Sequence, residues 1–296
     1  MRVVSLLPSA TEIVYALGMD EQLVGVTFEC DEPAAARTDK TVVVGGRDTR
    51  GMTPREIDRY VRAQVAAGED LYTLQADALR DLRPEVVLTQ DLCRVCALPS
   101  GDIEQALDYL GCDADVVSLD PASLQQVLDT VTRVGDRLGV PGRAHGLVLS
   151  MRRRLADIAA RVAGRPRPRV AVLEWIDPPF AAGHWVPDLV TAGGGTPVVA
   201  CPGGRSPQIT WDVVHAARPD VIVVAPCGFH LVEAIDHARQ ALPHLPEGAV
   251  WAVDADGLVV RPGPRVVDGV AALAAIFHPD VAGPPDPAAA RFVART

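Results

Sequence analysis

The chain has 296 residues, 48% of them hydrophobic and 22% charged, with a formal net charge of -10. This length and apolar content suit two domains with sizeable cores and exclude global disorder. The acidic balance argues against a nucleic-acid binder, and Lys40, the only lysine, leaves little room for Walker-type or Schiff-base chemistry.

Arg2 to Leu7 reads as a first strand, followed by Pro8-Ser9-Ala10-Thr11-Glu12. Ser9 with Glu12 fits an SxxE capping box that opens a helix ended by Gly18. Ser9 and Glu12 either only cap that helix or leave its free N–H groups facing a ligand, which makes Ser9 a binding candidate. Leu23 to Thr27 and Thr41 to Val44 are further strands, with Cys30 in the loop after the first of them. Thr53-Pro54-Arg55-Glu56 is a second capping box, with proline at the first helical position. A helix near Gln75 to Leu82 leads into Val86-Val87-Leu88, a strand covered on both faces, and then into the CxxC of Cys93 and Cys96. Ile103 to Leu110 and Val116 to Leu119 complete a first α/β lobe, residues 1–120.

Residues 121–164 read as a helical connector, nicked at Pro141-Gly142, with no Gly/Ser-rich or Pro-rich linker. The second lobe, residues 165–278, repeats the strand–helix alternation. Val170 to Leu173 is its first strand, and Glu174 to Phe180 a loop. Gly183-His184-Trp185-Val186-Pro187 opens a helix that ends at Gly193-Gly194-Gly195. Arg218-Pro219-Asp220 enters the strand Val221 to Val224, which runs into Cys227 and Phe229. That passage echoes Arg83-Pro84 with its own cysteine loop. His230, Glu233 and His237 share a helical face that reads as solvated surface. Residues 279–296 read as a frayed tail. The alternation predicts α/β architecture, two parallel-sheet Rossmann-like lobes joined by a long helical connector.

No run of the chain is long and apolar enough to cross a membrane. The short start, broken by Pro8, lacks a signal peptide, so the sequence predicts a cytoplasmic protein without membrane insertion. Disulfides are rare there, and a CxxC points to metal or redox chemistry. HExxH, GxSxG, GxGxxG and complete P-loop motifs are all missing, so an enzyme is the minority reading.

SLLPSATEIVYALG, the two Arg-Pro strand entries, the helical connector and GHWVPDLVTAGGG together resemble the periplasmic binding proteins that serve ABC importers of cobalamin, iron-siderophores and haem. The cysteine loops are similar to those of signal-less relatives labelled cobalamin-binding. The resemblance spans about Arg2 to Phe277. It implies two lobes bridged by a helix, a metal-containing small-molecule ligand in the cleft between them, and an ABC importer as partner. On that reading Trp175, Trp185 and Phe229 supply aromatic walls for cobalamin or another corrinoid, with inter-lobe packing the competing role. His184 is a candidate ligand to the metal, against a hydrogen-bonded structural histidine. Cys30, Cys93, Cys96 and Cys227 follow strand ends and are expected to converge, holding zinc or an iron–sulfur cluster. The alternative function is therefore a metalloprotein with a redox or unknown enzymatic role.

Overall fold

The computed structural model describes residues 1–47, 49, 51–91 and 100–296. The chain divides into two compact units. Unit 1 holds Met1–Pro121 and Asp129–Val148; unit 2 holds Ala122–Leu128 and Leu149–Thr296.

In unit 1 the elements run β1 (Val3–Ser5), α1 (Pro8–Ala16), β2 (Leu23–Thr27), α2 (Ala35–Asp39), β3 (Thr41–Gly46), α3 (Pro54–Ala67) and β4 (Tyr72–Leu74). They continue with α4 (Ala76–Leu82), β5 (Val86–Thr89), α5 (Ser100–Leu110) and β6 (Asp115–Ser118). The sheet order is β4-β3-β2-β1-β5-β6. All neighbours are parallel except β3 and β4. The central strands are apolar on both faces because helices cover both. Val4, Leu6, Val43, Val87, Leu79 and Ile103 meet in that core, each at most 2% exposed.

Two helices, α6 (Leu124–Arg137) and α7 (Pro141–Val162), carry the chain onward, and the division between units falls within them. Their break coincides with Gly139, at φ 72°, and Pro141, a stop followed by a start.

Unit 2 runs β7 (Arg169–Ile176), β8 (Pro179–His184), α8 (Val186–Ala192), β9 (Thr196–Pro202), α9 (Trp211–Ala217), β10 (Val221–Val224) and α10 (Leu231–Ala241). A short 3-10 turn, Leu242–His244, precedes β11 (Ala249–Val253), α11 (Ala255–Leu258), α12 (Val266–Phe277), α13 (Pro279–Ala282) and β12 (Ala290–Arg295). The sheet order is β12-β11-β10-β7-β8-β9. Its centre, β11-β10-β7, is parallel, while β8 lies antiparallel to β7 and β12 antiparallel to β11.

The sequence and the structure part in three places. Pro179–His184, where the sequence reads the end of a loop and the entry to a helix, is a strand that turns back on β7, and the sheets are mixed at their edges. Residues after Pro279, read as a frayed tail, form α13 and β12, whose backbone pairs along β11 from Ala290 to Arg295. The capping box at Ser9 does not form. Pro8, which has no N–H to satisfy, starts α1 two residues earlier, so Leu7 is the N-cap and Ser9 lies inside the first turn. The box at Thr53 does form: Glu56 N–H donates to Thr53 Oγ1, and Thr53 N–H to Glu56 Oε2.

The two Arg-Pro entries are alike in backbone as well as sequence. Arg83 closes α4 at φ 47°, ψ 61°, and Arg218 closes α9 at φ 43°, ψ 64°. Each takes the left-handed cap usually given to glycine, and the proline that follows disfavours continuing the helix.

Candidate functional site

The candidate site in unit 2 begins with strand register. Leu173 of β7 lies opposite Val224 of β10, and Ala225 N–H still donates to the Leu173 carbonyl at 2.9 Å. Cys227 N–H then donates to the Glu174 carbonyl at 3.1 Å, so the chain leaving β10 still runs beside the carboxyl end of β7. Such strand ends are where α/β sheets present ligand loops. The pairing of β7 with β8 slips between Leu173 and Trp175, a bulge that re-aims the side chains there. It turns the Glu174 carboxylate toward Gly183 N–H at 3.0 Å and the Ser206 hydroxyl, and leaves Trp175 among aromatic partners.

Trp175 and Phe229 have ring centroids 5.8 Å apart at 41°. His237 completes the group, 4.8 Å from Phe229 and 5.6 Å from Trp175, nearly perpendicular to the indole. The indole N–H of Trp175 donates to the Asp177 carbonyl at 3.2 Å, which fixes the ring orientation. Both Trp175 and Phe229 are half-buried, so an edge of the pair meets solvent. His237 is only 6% exposed, and its Nδ1 is sealed with no hydrogen-bond partner. Burial holds its pKa below the usual histidine value, against the opposing charges of Asp236 and Glu233, so the ring is neutral.

The Phe229 loop is braced from β11 and α11. Gly228, at φ 84°, donates to Asp256 Oδ1 at 2.9 Å, and Asp256 N–H donates to the Phe229 carbonyl at 3.1 Å. Arg261 pairs with the Asp256 carboxylate at 2.7 Å, both largely buried. His230 Nδ1 lies 2.8 Å from Asp254 Oδ1. Burial pushes the Asp254 carboxyl up, but the His230 hydrogen bond and charge, Gly257 N–H and Arg265 together bring it below its usual value.

His184 ends β8 at φ 49°, an uncommon conformation for a non-glycine residue. Its N–H donates to the Gly204 carbonyl at 2.7 Å, and Gly203 N–H donates back to its own carbonyl at 3.0 Å. Its Nδ1 is also sealed without a partner, and burial, with Arg205 nearby, lowers its pKa.

Other residues singled out in the sequence have different places. Trp185 is 5% exposed, and its indole N–H donates to the Val259 carbonyl at 2.8 Å. It caps α8 and packs in the unit 2 core. Ser9 is 4% exposed and sits in the first turn of α1 within unit 1. Cys30 is fully buried in unit 1, its Sγ 3.0 Å from Thr11 Oγ1. Cys227 is exposed in unit 2, on the Phe229 loop. Cys93 and Cys96 lie outside the described residues. Among the described residues, no three of His, Cys, Asp and Glu are grouped to hold a metal ion.

Sequence reasoning missed His237 by reading it as solvated. The signal was present: Ala234, His237, Ala238 and Ala241 share one face of α10, and all four are buried. The Asp254–Asp256–Arg261 bracing depended on contacts distant in sequence and left no local pattern.

Comparison with known proteins agrees with this architecture. YvrC of Bacillus subtilis, named as an uncharacterized ABC transporter substrate-binding lipoprotein, is 26% identical over 294 residues, covering 94% of this chain and 80% of that protein. The vitamin B12-binding protein of Vibrio cholerae is 24% identical over 276 residues, covering 91% and 86%. The crystal structure of a periplasmic heme-binding protein from Pseudomonas aeruginosa aligns with a TM-score of 0.72 at 26% identity, covering 100% of this chain and 99% of that one. The vitamin B12-binding protein BtuF of Vibrio cholerae aligns with a TM-score of 0.67 at 22% identity, covering 93% and 96%. The family model described as "Periplasmic binding protein" matches residues 3–242, and the chain belongs to that family.

Proposed function

We propose that this protein is the substrate receptor of an ABC importer and that its ligand is a corrinoid such as cobalamin. The observation that carries the reading is the Trp175–Phe229 pair at the carboxyl ends of β7 and β10. A rigid macrocycle with apolar faces and a polar rim is matched by two fixed rings that already share a contact and keep one edge open. The likeness to a vitamin B12-binding protein supports the same ligand class. His184 is assigned as a further contact, its backbone locked by the Gly203–Gly204 loop and its ring neutral.

Titration calorimetry with cobalamin, alongside hemin as comparison, tests the assignment. Saturable cobalamin binding that weakens in Trp175→Ala and Phe229→Ala is the expected result. No heat and no tryptophan quenching at high micromolar cobalamin would remove it.

A further inference from the structure

His237 makes the aromatic pair an unusual wall. A buried imidazole ordinarily has at least one hydrogen bond. Here the ring is wedged against Phe229 and Trp175, and Nδ1 is sealed without a partner. A neutral ring tolerates this at modest cost. An imidazolium would carry two N–H donors and a full charge in the same place, and burying an unpaired charge is far more costly.

We propose that Trp175, Phe229 and His237 form an acid-sensitive latch, in which protonation of His237 separates the two rings and weakens the ligand surface they build. The ligand arm of this inference rests on the reading of Trp175 and Phe229 as ligand walls; the latch itself does not.

The surroundings offer the imidazolium little. On its own helix, Asp236 and Glu233 favour protonation, yet burial outweighs them. Strands β10 and β11, packed against α10, have no ionisable side chain. Strand β7 brings Arg169 at its start and Glu174, whose carboxylate is taken by Gly183 and Ser206. Strand β12 brings only Arg291 and Arg295, which would repel a cation. Beyond Phe229, His230 is engaged by Asp254. His244, in the turn after α10, is stacked on Trp211 at 5.4 Å. Opening to water is thus the route by which the proton is accommodated. If only the open form takes the proton, at the ordinary value of 6.5, the open-to-closed ratio rises up to about tenfold per pH unit below it.

The test uses the full chain labelled with 5-fluorotryptophan, followed by fluorine NMR from pH 8 to pH 5. The Trp175 signal is assigned by loss in Trp175→Phe. It should shift or split between pH 6.5 and 5 in the wild type and stay unmoved in His237→Phe, which keeps the ring contacts but cannot titrate. His237→Gln serves if the phenylalanine variant folds poorly. Trp211, stacked on His244 far from the latch in sequence, is the internal reference and should give the same signal in both proteins. Cobalamin affinity should fall by about two- to fivefold from pH 7.5 to 5.5 in the wild type and stay level in the variant. A flat Trp175 signal, or the same titration in His237→Phe, overturns the latch. A latch that titrates while affinity stays level overturns its coupling to the ligand. A latch that titrates in a protein that binds no cobalamin at any pH sinks the corrinoid reading and leaves the latch standing.

Discussion

The indole nitrogen of Trp185 donates to the carbonyl of Val259, 2.8 Å away and 74 residues on in the chain. That bond ties the start of α8 to the end of α11 inside unit 2, where Trp185 is 5% exposed, and a structural role is the one expected of it. Trp185→Phe should destabilise by about 1–2 kcal/mol, because a buried carbonyl loses its donor. Trp185→Ala should cost about 3–5 kcal/mol through the cavity it leaves. Urea denaturation measures both, and ligand affinity of the folded Trp185→Phe protein should equal that of wild type.

Trp175 should behave in the opposite way. Trp175→Ala and Phe229→Ala are each expected to weaken cobalamin binding by about 1–3 kcal/mol, with smaller effects on stability. Because the rings touch, the double variant should fall short of the sum by about 0.5–1.5 kcal/mol. Strict additivity in calorimetry would mean that the pair does not act as one wall.

The two tryptophans show what was legible in the chain. Both sit near strand ends, and the sequence assigned them one role. Local pattern gave the parallel strand centres, the break between α6 and α7 and the Thr53 cap, since each depends on residues within a few positions. It could not show that a bulge at Glu174 turns Trp175 toward Phe229, or that Val259 is waiting for Trp185. Those outcomes are set by strand register and by contacts dozens of residues apart. His237 was lost to a habit of composition, a histidine between Asp236 and an arginine two positions on counted as surface, although its helical face was alanine-rich.

Asp254 carries a pH signature of its own. Its carboxyl is lower in the folded chain than its usual value of 3.8, so the stability it contributes is full above that value and is lost as pH falls through the folded one. His230→Ala should remove the largest favourable influence and raise the Asp254 value, read from its carboxyl carbon shift by NMR. With His230 half-exposed, the stability lost at neutral pH should be about 1 kcal/mol or less. A carboxyl shift unchanged by the substitution would show that Gly257 and Arg265 suffice.

Gly183 is the tightest point beside His184. A Cβ there would lie 2.4 Å from Ser206 N and 2.7 Å from the Gly204 carbonyl oxygen, both backbone atoms that cannot swing aside. Gly183→Ala should therefore cost about 1–3 kcal/mol and push the 203–206 loop away from β8. Thermal unfolding gives the first effect, and hydrogen exchange at His184 and Gly203 the second.

The helix starts offer a paired control. Thr53→Ala should destabilise by about 1 kcal/mol, since it breaks a completed capping box. Ser9→Ala should show no capping loss, because Leu7 holds the cap position of α1. Denaturation of both proteins under one condition distinguishes them.

Strand β12 gives the chain a timing problem during synthesis. β11, Ala249–Val253, reads AVWAV and is flanked on one side by β10 and on the other only by β12. On the ribosome β11 emerges well before Ala290–Arg295, at a rate of about 5–20 residues per second. For those seconds an apolar strand with free N–H and carbonyl groups stays uncovered, a template for pairing with a neighbouring nascent chain. A chain cut before Ala290 would keep that edge open for life, and its yield as soluble protein, not its fold, is what would suffer first.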